Sequence, residues 1–423
     1  MRFCRAVLCV VAAVVPLVAQ QEIRPKDVRE IAKSGSSAIP KLQELLHNPK
    51  TEVRAEAVRQ ITEIGPPRSL DPLLEATRDN DPEVQILATD GLVNFYLPGY
   101  VKTGISASLR RVGTGIKGRF TDTNDQAIDP YITVRPDVIA ALGKLVRNGG
   151  SLDARANAAR AAGILRGTGA VPDLIDAAHS KDSTLIYESL NSLQKIRDES
   201  AGPQVEFLLR DFDAKVQVAA IETAGVLRDL SAVPALTDVL NRTGNIKVKR
   251  AALTAIAMLP AASSRSLYSQ YLNDKDDKMR AAAAEGFARL KNPGDLPLLE
   301  KAWQDEDKSA PRLSLAFAQA MLGKIELSEF SPLQFLIDNL NSAAYNGIAF
   351  PFLVELARDP RVRTILYTPL RTGTKEERIG LAGVLARSGD KDTIAELRKL
   401  SDDPDPAVAQ AGLTAVRNLQ ARM

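Results

Sequence analysis

Cysteine and histidine are almost absent from this sequence. Its 423 residues include two histidines and two cysteines, and both cysteines, Cys4 and Cys9, lie close to the N-terminus. The rest of the chain therefore offers no disulfide, no thiolate nucleophile and no cysteine-ligated zinc site. We expect no cofactor and no metal, and we do not expect an enzyme.

Aromatic residues and net charge are also scarce. Aromatic residues make up 5% of the chain while alanine is common, which favours thin, closely packed helices over a β-sandwich. The 55 basic and 52 acidic residues give a net charge of +3. Without Arg2 and Arg5, which the next paragraph assigns to a removable segment, 53 basic residues oppose 52 acidic ones, a charge of +1. The overall charge therefore does not predict a nucleic-acid partner.

The N-terminus has the pattern of an export signal. Arg2 and Arg5 precede an apolar stretch from Ala6 to Leu17, which is shorter than the roughly 20 residues that span a membrane. A basic start followed by a short apolar segment is typical of a secretory signal. We predict a signal peptide over residues 1–19, cleaved near Ala19, and an extracytoplasmic location, periplasmic or secreted. An uncleaved membrane anchor is the alternative.

An internal repeat of about 31 residues predicts the fold class. One reference position recurs at intervals of 31 to 34 residues, except for a step of 70 residues between the second and third repeats. Its eleven equivalents are Val53, Val84, Ala154, Leu185, Val216, Val248, Met279, Ala310, Ala344, Glu377 and Val408.

The residues around the reference position predict two helices in each repeat. Three residues earlier, ten of eleven repeats carry a side-chain oxygen that can cap a helix, and the exception, Lys50, is followed by Thr51. Four residues later the side chain is small in nine repeats, which allows neighbouring helices to approach closely. An apolar residue eleven positions earlier indicates a preceding helix. Ile348 and Leu381 break the small-residue rule, so we expect repeats 9 and 10 to be irregular.

The segments that begin at Asp81, Asp213 and Asp276 resemble the second helices of HEAT repeats, and the short repeat is most similar to the HEAT-like repeats named after phycobilisome lyases. The resemblance implies an all-α fold, an α-solenoid of about eleven helix pairs with one irregular insertion. We divide the chain into a lead-in (20–35), repeats 1–2 (36–99), the insertion (100–135) and repeats 3–11 (136–423). The family mostly supplies scaffolds and adaptors, so the expected function is to hold a protein partner on the concave surface, as a monomer.

The insertion supplies the candidate contacts to that partner. Between residues 100 and 121 it contains no acidic residue and five basic ones, Lys102, Arg110, Arg111, Lys117 and Arg119. Its glycines make a regular helix unfavourable, and insertions in repeat arrays often map to the binding face. We predict contact with an anionic partner, either a protein face or, through peripheral attachment, a membrane surface. The alternative is a flap over the concave surface whose charges are simply solvated.

Other side chains allow further interpretations. Glu222 and Glu285 could place carboxylates in the groove of an enzyme or enzyme subunit, although no nucleophile or metal ligand accompanies them. His47 and His179 are predicted at the ends of first helices, three repeats apart, and cannot share a metal.

A ladder of basic residues follows the reference position directly. We predict that these residues bridge neighbouring repeats, and a basic groove for nucleic acid is the alternative. They are Arg54, Arg155, Lys249 and Arg280.

Overall fold

A computed structural model describes residues 23–101 and 126–423, and these residues form the predicted all-α solenoid. The second helices of repeats 1 to 11 are Thr51–Ile64, Pro82–Tyr96, Leu152–Ile164, Ser183–Ile196, Ala214–Val226, Ile246–Met258, Asp277–Leu290, Ser309–Met321, Asn346–Leu356, Lys375–Ser388 and Pro406–Gln420. The first helices are Ile39–Glu44, Leu70–Ala76, Pro136–Asn148, Val171–Ala178, Pro203–Arg210 (a 3-10 helix), Val233–Arg242, Arg265–Tyr271, Leu296–Asp305, Pro332–Asp338, Pro360–Thr372 and Lys391–Leu400. Short 3-10 turns precede or follow several of them.

Side-chain caps begin most of the second helices, as the sequence predicts. In repeat 2, for example, a carboxylate oxygen of Asp81 accepts a hydrogen bond from the Glu83 N–H at 2.8 Å. Each such cap satisfies one of the donors that a helix start leaves free. Eight predicted caps are confirmed: Asp81, Ser151, Asp182, Asp213, Asn245, Asp276, Thr374 and Asp405.

Three of the predicted starts of second helices are wrong in detail. Lys50 stands before the first residue of its helix without a side-chain cap, and Thr51 lies inside the helix rather than capping it. In repeat 8 the helix begins after Lys308, so Asp307 lies too early to cap it. In repeat 9 the helix begins after Tyr345. A 3-10 turn that ends at Asn341, together with the residues that follow it, accommodates the longer interval between the reference positions of repeats 8 and 9.

The second helices form the inner, more closely packed layer. Each contacts the second helix of the next repeat from repeat 1 to repeat 11, whereas among the described residues the first helices make comparable contacts only between repeats 3 and 4. Arg289 in repeat 7 lies 3.0 Å from Glu355 in repeat 9. Side chains two repeats apart can meet only on the inside of the curve, so the second helices line the concave surface.

Small residues make this close packing possible. The nine predicted small side chains, four residues after the reference position, are all buried. Close approach also occurs within a repeat: at Gly412 a Cβ atom would lie only 2.8 Å from the Cβ of Leu400 in the first helix of repeat 11. Adding methylenes to such a contact typically costs about 1–3 kcal/mol. The nine small residues are Ala57, Ala88, Ala158, Ser189, Ala220, Ala252, Ala283, Ser314 and Gly412.

The buried side chains form two clusters. One extends from Val28 to Ala170, and the other from Leu145 to Leu419, so the clusters meet inside repeat 3. A helix of the lead-in, Pro25–Ala32, packs on the second helix of repeat 1 and buries Val28 completely. This helix covers the apolar end of the array, which a stack of repeats must close.

Aromatic side chains fill the irregular part of the array. Phe352 in repeat 9 stacks on Phe317 in repeat 8 with 4.4 Å between ring centroids, and Phe335 meets Trp303 edge to face at 5.2 Å. Phe330, by contrast, is 82% exposed in the preceding turn. Across residues 23–101 and 126–423, no helix is both long and apolar enough to cross a membrane.

Candidate functional site

The end of the insertion is fixed to repeat 3. The buried Ile128 donates its N–H to the Ile164 carbonyl at 3.0 Å, and its carbonyl accepts a hydrogen bond from Arg166 Nε at 3.1 Å. Arg135 lies 2.6 Å from Asp71 of repeat 2. The predicted contact residues Lys102, Arg110, Arg111, Lys117 and Arg119 lie outside the described residues.

Arg166 begins a row of arginines at one position of successive repeats. Arg166, Arg197 and Arg228 each follow the end of a second helix, twelve residues after the reference position. All three have a left-handed backbone, with φ of 50°, 63° and 55°. Side chains disfavour this conformation by roughly 1–2 kcal/mol. In repeat 1 the same position holds a glycine, Gly65, whose φ of 71° is also positive but whose ψ of −166° is extended, so its conformation differs from that of Arg197. The row therefore places arginine where the backbone alone favours glycine.

A second row lies at the ends of the second helices of the last three repeats. Arg358 and Arg422 come after the helices of repeats 9 and 11, and Arg387 lies in the last turn of the repeat 10 helix. The Arg387 guanidinium lies over the Phe350 ring, 4.8 Å from its centroid. Arg422 donates to the carbonyl of Ala386 at 2.9 Å.

Charges of the second row act on arginines of the first. The surrounding protein is the largest cause that lowers the pKa of the Arg197 guanidinium, and the positive charges of Arg358 and Arg387 lower it further. Burial also lowers the pKa of Arg166, followed by the charges of Arg197 and Arg387. We call the five residues Arg166, Arg197, Arg358, Arg387 and Arg422 the arginine cluster.

The arginine cluster is accessible to water. All five side chains are exposed, and the protein around them is the main cause of the lowered pKa of Arg166, Arg197 and Arg422. Within the described part of the chain, the side chains of Arg197 and Arg358 form no hydrogen bond or ion pair.

The predicted basic ladder behaves differently. Arg54 lies 2.7 Å from Asp79 of the next repeat, and Arg280 lies 2.6 Å from Glu306 of the next repeat. These two residues confirm the predicted bridge between repeats, and their charges are neutralised by carboxylates. Arg155 instead donates to the Val146 carbonyl within its own repeat at 2.8 Å.

Two further basic residues, Lys249 and Arg378, directly follow a reference position. Lys249 lies over the ring of Tyr271 in repeat 7, 5.8 Å from its centroid. Arg378, which also directly follows a reference position, pairs with Asp403 of the next repeat. A ladder whose arginines are largely paired in this way does not form a basic groove for nucleic acid.

A family model for HEAT repeats matches residues 19–98 and 233–321. Both matched segments are HEAT repeats. No curated protein matches its sequence significantly. Among solved structures it is similar to an engineered protein, with 16% identity, coverage of 90% of this chain and 98% of the other, and a TM-score of 0.33.

Two natural proteins also resemble this HEAT-repeat protein. The complex of CpcE and CpcF of phycocyanin lyase from Nostoc sp. PCC7120 has 16% identity, coverage of 61% of this chain and 96% of that chain, and a TM-score of 0.36. The Escherichia coli protein YibA has 14% identity, coverage of 71% and 98%, and a TM-score of 0.41. Identities this low concern the fold alone.

The carboxylates on the concave surface of this HEAT-repeat protein have two different environments. Burial raises the pKa of Glu285, which lies 3.2 Å from Arg289 and accepts a hydrogen bond from Ser314. Arg289 in turn contacts Glu355, so this network joins repeats 7, 8 and 9. Burial alone raises the pKa of Glu222. Glu285 therefore has a structural role that the sequence pattern did not indicate.

The two histidines lie at the ends of first helices, as predicted. His47 Nε2 is 2.8 Å from Glu75 in repeat 2, and the His179 ring stacks on Phe207 at 4.3 Å. In the described ranges, no three histidine, cysteine, aspartate or glutamate side chains are grouped so that they could hold a metal ion.

Proposed function

We propose that this HEAT-repeat protein is an exported scaffold or adaptor that holds a protein partner on its concave surface and its insertion (100–135). The supporting observation is the inner layer of second helices, which contact one another at every step of the array. Such a surface exists before binding, so little conformational entropy is lost when a partner is captured. Many weak contacts along it can then add up to specific recognition.

The insertion is proposed to contribute because of where it returns to the array. Its anchored end at Ile128 accepts a hydrogen bond from Arg166, a member of the arginine cluster. The described end of the insertion therefore contacts a member of the arginine cluster. An acidic face of a protein partner would be complementary to the basic residues of the insertion and to the arginine cluster.

Export is proposed from the N-terminal sequence alone. Arg2, Arg5 and the apolar stretch that follows predict cleavage near Ala19. The mass of the protein recovered from the native envelope and growth medium tests this proposal. A mature N-terminus near Gln20 is expected, and recovery of the full-length chain in the cytoplasm would exclude export.

Crosslinking in the native envelope, followed by mass spectrometry and reconstitution with the purified partner, tests the scaffold proposal. The comparison variant replaces the five basic residues of the insertion by glutamine, which leaves the buried anchor Ile128 in place. We expect the intact chain to bind one defined protein and the variant to bind it at least tenfold more weakly. The proposal fails if no protein is captured by the intact chain.

An anionic vesicle serves as the second arm of that experiment. If vesicles that contain acidic lipids bind the intact chain, and binding disappears with the glutamine variant or in high salt, peripheral membrane attachment replaces the scaffold proposal. Equal binding of neutral and acidic vesicles would argue against any role of the basic residues.

A further inference from the structure

We propose that the contact between repeats 8 and 9 is a hinge, and that an ionic latch across it holds the concave surface closed. The latch consists of Glu285, Arg289, Ser314 and Glu355, which belong to the second helices of repeats 7, 8 and 9. Opening of the hinge would straighten the array at this one place and widen the concave surface. Because this motion belongs to the chain itself, it can be measured without a partner and goes beyond the proposed scaffold function.

The second helices of repeats 8 and 9 make the least extensive contact of their kind. Ser309–Met321 and Asn346–Leu356 pack on each other less than any other neighbouring second helices of the described chain. The helix of repeat 9 begins late, after Tyr345, and it contains Pro351, which cannot donate a backbone hydrogen bond. A shorter and less regular helix presents less surface to its neighbour. The contact between repeats 8 and 9 is therefore the weakest step of the inner layer.

The connection between repeats 8 and 9 is long enough to absorb a change of angle. Ten residues, 322–331, join the second helix of repeat 8 to the first helix of repeat 9, and apart from the insertion no other connection between repeats is as long. They form no helix, and Gly323 and Phe330 have positive φ values of 108° and 68°. Repeat 9 is joined to repeat 10 by only three residues, and Asn341 donates to Glu377 of repeat 10 at 2.8 Å. Repeat 9 is thus expected to move together with repeat 10.

Arg289 is the centre of the latch. Its Nη2 and Nε donate to the Glu355 carboxylate at 3.0 and 3.1 Å, so two hydrogen bonds run from repeat 7 to repeat 9. Its Nη1 donates to Glu285 at 3.2 Å and to the Ala257 carbonyl of repeat 6 at 3.1 Å, and Ser314 of repeat 8 donates to Glu285 at 3.2 Å. The side chains of Arg289, Glu285 and Glu355 are only 15%, 18% and 27% exposed, so solvent screens their charges less than those of a surface pair. These bonds can form only while the hinge is closed.

The stacking of other repeats leaves no room for such a motion. A Cβ atom added to Gly163 would lie 2.7 Å from the Cα of Ser192 in repeat 4, and one added to Gly225 would lie 3.0 Å from the Cα of Ala255 in repeat 6. Helices whose backbones approach this closely cannot tilt without collision. In repeat 8 the same position, nine residues after the reference position, holds Gln319.

Aromatic rings separate the helices of repeats 8 and 9 instead. Phe317 stacks on Phe352 with 4.4 Å between centroids, and Trp303 meets Phe335 edge to face at 5.2 Å. The Arg312 guanidinium lies over Trp303, 4.5 Å from its centroid. Aromatic pairs attract one another over centroid distances of roughly 4.5–7 Å and in several orientations. These rings can therefore tilt and remain in contact, which makes them the pivot of the hinge.

Spin-label distances test the inference. The full-length chain with Cys4→Ser and Cys9→Ser receives one pair of labels across the hinge, at Lys247→Cys in repeat 6 and Lys391→Cys in repeat 11. The control pair, at Lys181→Cys in repeat 4 and Lys247→Cys, lies entirely on one side of the hinge. All three lysines are exposed, so the labels replace no packed side chain.

Two glutamine substitutions are compared with each label pair. Glu355→Gln removes the charge that holds Arg289 across the hinge, whereas Glu222→Gln makes the same change on the concave surface of repeat 5. We expect Glu355→Gln to raise the population with a longer distance across the hinge about tenfold and to leave the control pair unchanged. Glu222→Gln should alter neither distance.

Three outcomes would overturn the inference. The distance across the hinge could be the same in Glu355→Gln as in the unaltered chain, which would show that the bonds do not restrain a motion. It could change equally in Glu222→Gln, which would show that any lost charge on the concave surface has this effect. Both label pairs could change in Glu355→Gln, which would show that the network maintains the fold and not a hinge.

Tryptic cleavage after Lys324 is a second readout that needs no labels. Lys324 lies in the connection between repeats 8 and 9 and pairs with Glu300 of repeat 8 at 2.8 Å. Opening of the hinge pulls on this connection, so we expect cleavage about tenfold faster in Glu355→Gln than in Glu222→Gln. Equal rates in these two variants would contradict the hinge. Neither readout involves a partner, so failure of the scaffold proposal would leave both results unaffected.

Discussion

Arginine has two different settings in this solenoid. In the ladder, at the turns inside the repeats, Arg54 and Arg280 are paired with carboxylates of the following repeat. In the arginine cluster, at the turns between repeats, Arg197 and Arg358 are exposed and lack such partners in the part of the chain that the structure describes. The same residue type therefore joins repeats at one edge and is exposed to solvent at the other. The two settings differ in whether the arginine is paired with a carboxylate, not in the number of basic residues.

Removal of a ladder arginine should have the largest effect on stability. Arg280→Ala leaves the carboxylate of Glu306, a residue that is 8% exposed, without its main partner. An unpaired, largely buried charge is expensive, and we expect a loss of about 2–3 kcal/mol in the free energy of unfolding. Urea denaturation measures it, with Arg358→Ala as the control from the cluster, expected to cost less than about 0.5 kcal/mol. Equal losses in both variants would remove the distinction.

The pH dependence of stability should show whether the Arg280–Glu306 pair stabilises the fold through its charges. Burial would raise the pKa of Glu306, but hydrogen bonds from Arg280 and from the Lys308 N–H outweigh it and hold the pKa below its ordinary value of 4.5. A carboxylate whose pKa is lower in the folded state stabilises the fold above its unfolded pKa and loses this effect as pH falls. The difference in unfolding free energy between the unaltered chain and Arg280→Ala should therefore shrink below about pH 4.5. A difference that stays constant down to pH 3 would show that packing, and not charge, causes the loss.

In the arginine cluster, replacing an arginine is expected to change the free energy of unfolding in the opposite direction. Arg197→Gly should leave the free energy of unfolding unchanged or raise it by up to about 1 kcal/mol, because the left-handed backbone no longer carries a side chain. Lys291→Gly, at the equivalent position of repeat 7 with a φ of 52°, should behave in the same way. Thermal and urea denaturation of both variants measure this effect, and a clear destabilisation by Arg197→Gly alone would mean that Arg197 has a structural role.

The smallest effect is expected for an exposed pair between repeats. Arg59 lies 2.6 Å from Glu83, whose side chain is 64% exposed. Exposed pairs typically contribute about 0–1 kcal/mol, so Glu83→Gln should cost less than about 0.5 kcal/mol in urea denaturation and nothing measurable in high salt. A larger loss would show that burial does not determine how much a pair between repeats contributes.

Much of the fold could be predicted because each repeat contains the same local sequence pattern. Asp213 and Asp276 cap their helices as the spacing required, since capping depends only on local residues. The start of repeat 9 could not be located in this way. There the chain forms an extra turn before Tyr345, and Asn341 contacts Glu377 and Thr374 of the next repeat instead of capping a helix.

The arginine cluster was not predicted, although part of its signal was readable. Arg166, Arg197 and Arg228 recur twelve residues after the reference position. The influence of the Arg387 charge on Arg166 and Arg197 depends on the summed rotation of the repeats between them, and no single repeat encodes that quantity. The predicted contacts in the insertion remain predictions, because they lie outside the described residues.

The division of the core inside repeat 3 bears on how the chain folds and opens. Repeat arrays gain stability from contacts between neighbours, so cooperative units follow the continuity of the buried core. The smaller cluster, from Val28 to Ala170, is expected to open at a lower free energy than the cluster that continues to Leu419. Amide hydrogens in repeats 1 and 2 should then exchange before those of repeats 5 to 8, and the N-terminal part of the concave surface would be the first to lose its shape under force or heat.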